Sequence, residues 1–190
     1  MKRAISFLLL LGVMTFDPSG ALAGDGLPLA ELAKSGRILM LRHAYAPGAG
    51  DPPDFRLDDC TKQRNLDARG REQAAALGER LKRAGITRAK IYSSQWCRCV
   101  ETARLLKLGA VEALPALNSF YERENERDAK VAALRRFLAT LPVDRPLVIL
   151  VTHQVTINAF TDAGTPSGGG SVFELNGTRT PRLLGSIAAN

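Results

Sequence analysis

Histidine is scarce in this chain: His43 and His153 are the only two among 190 residues. So few imidazoles leave little from which to build a histidine-rich metal cluster, since structural zinc sites take four nitrogen or sulfur ligands. Aromatic residues make up 6% of the chain and are not interleaved with the basic ones. That excludes a row of stacking platforms for single-stranded nucleic acid. Beyond the N-terminal segment no apolar run approaches the roughly 20 residues that span a bilayer, which excludes a multi-span membrane protein. No sequence period recurs, and the longest low-complexity stretch is the turn-like "GTPSGGG" at 164–170, so a solenoid is excluded as well.

What is present begins with a targeting signature. Lys2 and Arg3 precede an apolar stretch from Ile5 to Val13, and "ALA" at 21–23 has the small-x-small pattern of a cleavage site. This predicts a secretory signal peptide over 1–23 and a mature domain over 24–190. The domain is expected to be carried across the inner membrane, with the periplasm as its compartment and no stable membrane insertion after cleavage. A chain of that length suffices for one domain. Removing the segment leaves 24 basic and 18 acidic residues, a net charge of +6. That surplus points to a small anionic partner rather than nucleic acid.

Export also favours a disulfide among Cys60, Cys97 and Cys99. Cys97 and Cys99 lie two apart, on divergent faces if their segment is helical, so the expected bridge joins Cys60 to Cys97 or Cys99. Zinc is the competing use of these thiols. It runs short of ligands once the histidines are otherwise employed, and no metal or cofactor is expected.

Three compact apolar runs read as strands: "RILML" at 37–41, "AKIYSS" at 89–94 and "PLVILVT" at 146–152. The last is apolar on both faces, as a buried parallel strand must be. Between them lie helical patterns at 67–85, at about 95–106 with Ser94 as cap, and at 127–141 before Pro142. Strands alternating with helices predict a three-layer α/β sandwich whose central sheet is mostly parallel and flanked by helices. The tail, "GGGSVFELNGTRTPRLLGSI", reads as a hairpin on an Asn-Gly turn at a sheet edge.

In such sheets ligands bind off the carboxyl ends of the strands. The first run ends in Arg42 and His43, the second leads within a helical turn to Arg98, and the third ends in His153. If the three strands are parallel neighbours, two guanidiniums and two imidazoles share one cleft. Guanidiniums held together call for an anion with several acceptor oxygens, which a phosphoryl group supplies. A histidine kept neutral by neighbouring cations retains a free ring nitrogen at neutral pH and can act as a nucleophile.

The stretches "LRHA" at 41–44, "SSQWCRCVETA" at 93–103 and "VTHQ" at 151–154 resemble the signature of the histidine phosphatase superfamily, in its small branch 1 type. The resemblance implies a phosphoglycerate mutase-like fold and a phosphohistidine mechanism. His43 would be the nucleophile, Arg42 and Arg98 would clamp the phosphate, and His153 would donate to the transferring oxygens. Two departures stand out. Ala44 replaces the glycine of the family's Arg-His-Gly, and Ser119 stands where many relatives carry a general-acid glutamate. Glu122 or Glu124 of "LNSFYERENE" are candidates to reach in as acid. Alternatively, the substrate needs no strong acid, as with a phosphoramidate or an acidic leaving group.

Asn65 and Arg69 are candidates to touch the ligand from the start of the long helix. The loop at 44–60 is expected to wall the pocket and set substrate choice, and Trp96 belongs either to the entrance or to the core. No large insertion is present to hold a second phosphoryl acceptor, so hydrolysis is expected over mutase activity. The competing reading is a phosphate-binding or sensing module of the cell envelope with the same fold.

Overall fold

The computed structural model describes residues 26–189, so the expected signal segment over 1–23 lies outside the described residues. Six strands form one sheet: β1 (Arg37–Arg42), β2 (Lys90–Ser93), β3 (Val111–Ala113), β4 (Val148–Thr152), β5 (Gly170–Glu174) and β6 (Arg182–Ile187), in the order β3-β2-β4-β1-β5-β6. The pairs β1/β4, β2/β4 and β2/β3 are parallel, whereas β5 pairs antiparallel with both β1 and β6.

Alternation along the strands builds two cores. Leu39 and Leu41 of β1, with Ile149 and Val151 of β4, face α1 (Ala68–Arg83) and α2 (Cys97–Leu105). Ile38, Met40, Val148 and Leu150 face the other way, toward α3 (Arg127–Ala139) and α4 (Gln154–Thr161). Each of these eight strand side chains is fully buried. Each contributes about 1.5–3 kcal/mol relative to exposure, so polar residues are displaced to the strand ends. At the amino end of β1, the buried Arg37 is held by Glu31 and Glu174, each at 2.7 Å. At its carboxyl end stand Arg42 and His43.

Asp67 caps α1 by accepting from the Gly70 amide at 2.8 Å. A Cβ on Gly70 would lie 1.9 Å from the Tyr45 carbonyl oxygen, so only glycine lets the helix start close against the loop that follows β1.

The three-layer, mostly parallel sheet agrees with the sequence reading, and four local features differ from it. The helix expected from about 95 begins at Cys97 with Trp96 as its cap residue; Ser94 lies two positions earlier, its hydroxyl accepting from the Trp96 amide at 3.3 Å. Two elements were not anticipated, the three-residue β3 and α4. The β5–β6 hairpin turns through a loop at 175–181, where Asn176 accepts from the Thr178 amide, rather than through a two-residue turn.

Candidate active site

Because β4 lies between β2 and β1, the carboxyl ends of the three strands are neighbours. His43 follows β1 directly, and its amide continues the ladder by donating to the Thr152 carbonyl at 2.9 Å. His153 follows β4 and caps α4 in an extended conformation. Arg98 sits in the first turn of α2. The two imidazoles meet edge to face, their centroids 5.5 Å apart.

His43 is buried, with Nδ1 2.8 Å from the Ala44 carbonyl oxygen. A carbonyl only accepts, so Nδ1 carries the proton and Nε2 keeps its lone pair. Burial, then the charge of Arg98 and less strongly those of Arg64 and Arg42, push His43 down to about 3, against the opposing effect of the Ala44 bond. The ring is therefore neutral and nucleophilic at Nε2 across the neutral range. Ala44 itself is buried, and its amide donates to Thr102 Oγ1 at 3.0 Å.

His153 is also buried, with Nε2 2.9 Å from Ser94 Oγ and 3.5 Å from Cys99 Sγ. The Ser94 hydroxyl donates to Asn118 Oδ1 at 3.2 Å, which leaves His153 Nε2 as donor and Nδ1 as the uncommitted nitrogen. Burial, followed by the neighbouring His43 and arginines, holds His153 well below its ordinary range. Nδ1 becomes a donor only when an incoming anion draws a proton onto the ring.

The arginines are held in complementary ways. Arg42 Nη1 is fully committed, donating to Gln154 Oε1 at 2.8 Å and to the Thr165 carbonyl at 2.7 Å, while its buried Nε has no partner. Arg98 Nη1 donates to Asp51 Oδ1 at 2.7 Å and to the Arg64 carbonyl at 3.2 Å, Nη2 donates to Asp51 Oδ2 at 3.1 Å, and Nε is again without a partner. A guanidinium has five N–H donors in a rigid plane. Each arginine thus keeps the side-on pair, Nε–H and an Nη2–H, which point in parallel and match two oxygens of a phosphoryl group. Arg64 adds a third cation, anchored through Nε to the Gly50 carbonyl at 2.8 Å and through Nη1 to the Ala46 carbonyl at 2.6 Å.

These groups line a cleft of about 840 Å³, bounded also by Asp51, Phe55, Trp96, Ser119 and Glu122. Phe55 stacks on Trp96, with centroids 5.1 Å apart, so the loop at 44–60 does wall the cleft. Trp96 is both buried and part of the wall. Ser119 accepts from the Tyr121 amide at 3.2 Å. Glu122 is exposed at the mouth, its carboxylate oxygen near the place a Cβ on Gly50 would take. Glu124 is exposed and pairs with Arg127.

Glu124 does not line the cleft, and neither do two further candidates. Asn65 donates to the Cys60 and Gln63 carbonyls, bracing its own loop, and Arg69 lies over the Tyr45 ring. Cys60 and Cys97 form a disulfide, and Cys99 is a free buried thiol pushed up to about 12 by burial. Sequence reasoning missed Arg64 and Asp51, which enter through loop residues with no periodic pattern to mark them.

At the carboxyl edge of the α/β sheet, one cleft thus gathers Arg42, Arg64 and Arg98 around a buried, uncharged His43. Residues 38–127 match the family model of the histidine phosphatase superfamily (branch 1). The matched segment carries Arg42, His43 and Arg98, and His153 lies beyond it. No curated protein matches the chain. Solved structures match its fold, the phosphoglycerate mutase-like fold. One, from Agrobacterium tumefaciens, is assigned as phosphohistidine phosphatase SixA: it is 21% identical, with 82% of this chain and 99% of that chain covered and a TM-score of 0.55. "Mycobacterial hydrolase 1" is 19% identical, with 83% and 99% covered and a TM-score of 0.58. The protein histidine phosphatase SixA complexed with tungstate is 13% identical, with 80% and 96% covered and a TM-score of 0.55.

Proposed function

We propose that this protein is an exported, periplasmic phosphatase that hydrolyses a small phosphate monoester or phosphoramidate through a phosphohistidine on His43. The observation that carries the reading is the free Nε2 of His43 in one cleft with the two uncommitted guanidinium edges of Arg42 and Arg98.

In the first step Nε2 attacks phosphorus, and the bond to the leaving oxygen or nitrogen breaks with its electron pair. The ring becomes cationic, and its Nδ1–H bond to the Ala44 carbonyl strengthens with that charge. Arg42 and Arg98 bind the equatorial oxygens, and His153 donates once it is protonated. Water then attacks phosphorus, the P–Nε2 bond breaks, dihydrogen phosphate leaves and the neutral imidazole returns.

No carboxylic acid stands at position 119, and Asp51 is engaged by Arg98. With Glu122 exposed at the mouth, this favours a leaving group that is an amine already protonated, or the anion of a fairly acidic hydroxyl, since general acid catalysis is worth about 10²- to 10⁴-fold elsewhere. The test is turnover of para-nitrophenyl phosphate by the protein and by His43→Ala. Turnover that vanishes in the variant is expected, and parental turnover in the variant refutes the nucleophile. Absence of turnover in both proteins, with phosphate still bound, favours a binding module instead.

A further inference from the structure

Asp51 is the one acidic residue inside the cleft wall that is almost fully enclosed, its side chain 11% exposed. Both carboxylate oxygens are doubly used. Oδ1 accepts from Arg98 Nη1 at 2.7 Å and from the Arg64 amide at 3.0 Å; Oδ2 accepts from Arg98 Nη2 at 3.1 Å and from Trp96 Nε1 at 3.0 Å. Desolvation would raise this carboxyl, yet the bonds from Arg98, the Arg64 amide and Trp96 outweigh it and hold it below its ordinary range. A carboxylate with four donors is a fixed bracket rather than a mobile lid.

The edge of Arg98 that Asp51 takes is the informative point. It pairs with the two terminal nitrogens, so the edge left over is Nε–H with Nη2–H. Nη1 also donates to the Arg64 carbonyl at 3.2 Å, so both of its hydrogens are used and the terminal edge is fixed in place. The bracket also reaches the loop that carries Arg64 and the indole that stacks on Phe55. One carboxylate thereby links the cationic floor of the cleft to its aromatic wall. It also brings the charge of Arg42, Arg64 and Arg98 down by one, nearer to that of a phosphoryl dianion.

We infer that Asp51 is a positioning residue for the phosphoryl clamp, acting through Arg98 by holding its terminal edge so that the Nε/Nη2 edge is presented to the substrate. The inference rests on the phosphate-binding reading above, and the wild-type arm of the test separates the two. Inorganic phosphate is titrated calorimetrically into the full chain, Asp51→Asn, Arg98→Lys and the double variant, with melting temperatures recorded for each. Asparagine keeps the shape but offers one acceptor atom where the carboxylate offers two.

Asp51→Asn is expected to weaken phosphate binding about tenfold, the size of one lost charge-assisted bond. In the Arg98→Lys background, which has no edge to orient, the same change is expected to cost less than about twofold. An equal loss in both backgrounds overturns the inference, because a merely structural residue would loosen either protein alike. Tighter binding in Asp51→Asn also overturns it, making Asp51 a competitor for the anion site. If Asp51→Asn fails to fold, Asp51→Glu carries the test: a loss that disappears with Arg98→Lys supports the inference and unchanged binding overturns it. No phosphate binding by the wild-type chain refutes the functional reading itself.

Discussion

Acidification from pH 7 to 5 should destabilise this protein through its two buried imidazoles. His43 is neutral when folded, pushed down to about 3 from an ordinary value of 6.5. Below 6.5 the unfolded chain therefore binds a proton that the folded chain refuses. The stability that depends on this difference is present above pH 6.5 and is lost progressively as the pH falls toward 3. At pH 5 the loss is set by the interval down from 6.5, about 2 kcal/mol for His43. For a domain of this size that corresponds to a fall in Tm of about 4–8 °C. His153 adds in the same direction. The perturbed carboxylates begin from ordinary values of 3.8 or 4.5 and are lowered further, so they titrate beneath this window. Calorimetric melts of the wild type and His43→Asn at pH 7 and pH 5, at fixed ionic strength, isolate the His43 share. The wild type is expected to lose more than the variant by about those 4–8 °C. An equal loss in both would refute the neutral, buried state of His43.

Tungstate, a dianion without its own titration near neutrality, should bind with uptake of about one proton, taken by His153 Nδ1. Calorimetry in two buffers of different ionisation heat measures this, and zero uptake refutes the assignment of His153 as an induced donor. Glu122→Gln should leave para-nitrophenyl phosphate turnover within about threefold, because this leaving group needs no acid. A loss beyond tenfold, with the basic limb of the pH profile removed, would make Glu122 the acid. Replacing both Cys60 and Cys97 by serine opens a loop of sequence separation 37 and should cost about 3–4 kcal/mol on the chain-entropy account. An unchanged denaturation midpoint would show that the loop is already held by Gln63 and Asp51.

The parts of the fold legible in the sequence are those written as continuous burial. β1 and β4 are surrounded on both faces, so "ILML" and "VILV" admit no polar residue, and the first polar side chains mark the strand ends where the site lies. α4 was invisible because "QVTINAFT" carries two threonines, a valine, an isoleucine and an asparagine, residues whose local preference is against helix. Its helix is specified by packing, with Ile157 buried in the core and Phe160 set edge to face on Phe173. β3 is too short to show a period. Arg64 and Asp51 lie in loops, where the path of the backbone is fixed by hydrogen bonds to residues tens of positions away. Trp96 to Asp51 spans 45 positions and Arg98 to Asp51 spans 47. No local pattern encodes such pairs.

Trp96 is the only tryptophan of the chain, and it stands in the cleft wall against Phe55, with its indole N–H on Asp51 and its ring 5.2 Å from that of His153. All of the protein's tryptophan emission thus originates beside His153 and Asp51. Occupation of the proposed clamp and protonation of His153 would each alter the surroundings of that single fluorophore. Ligand arrival can therefore be followed optically in the native sequence, with no label attached and no background from a second indole.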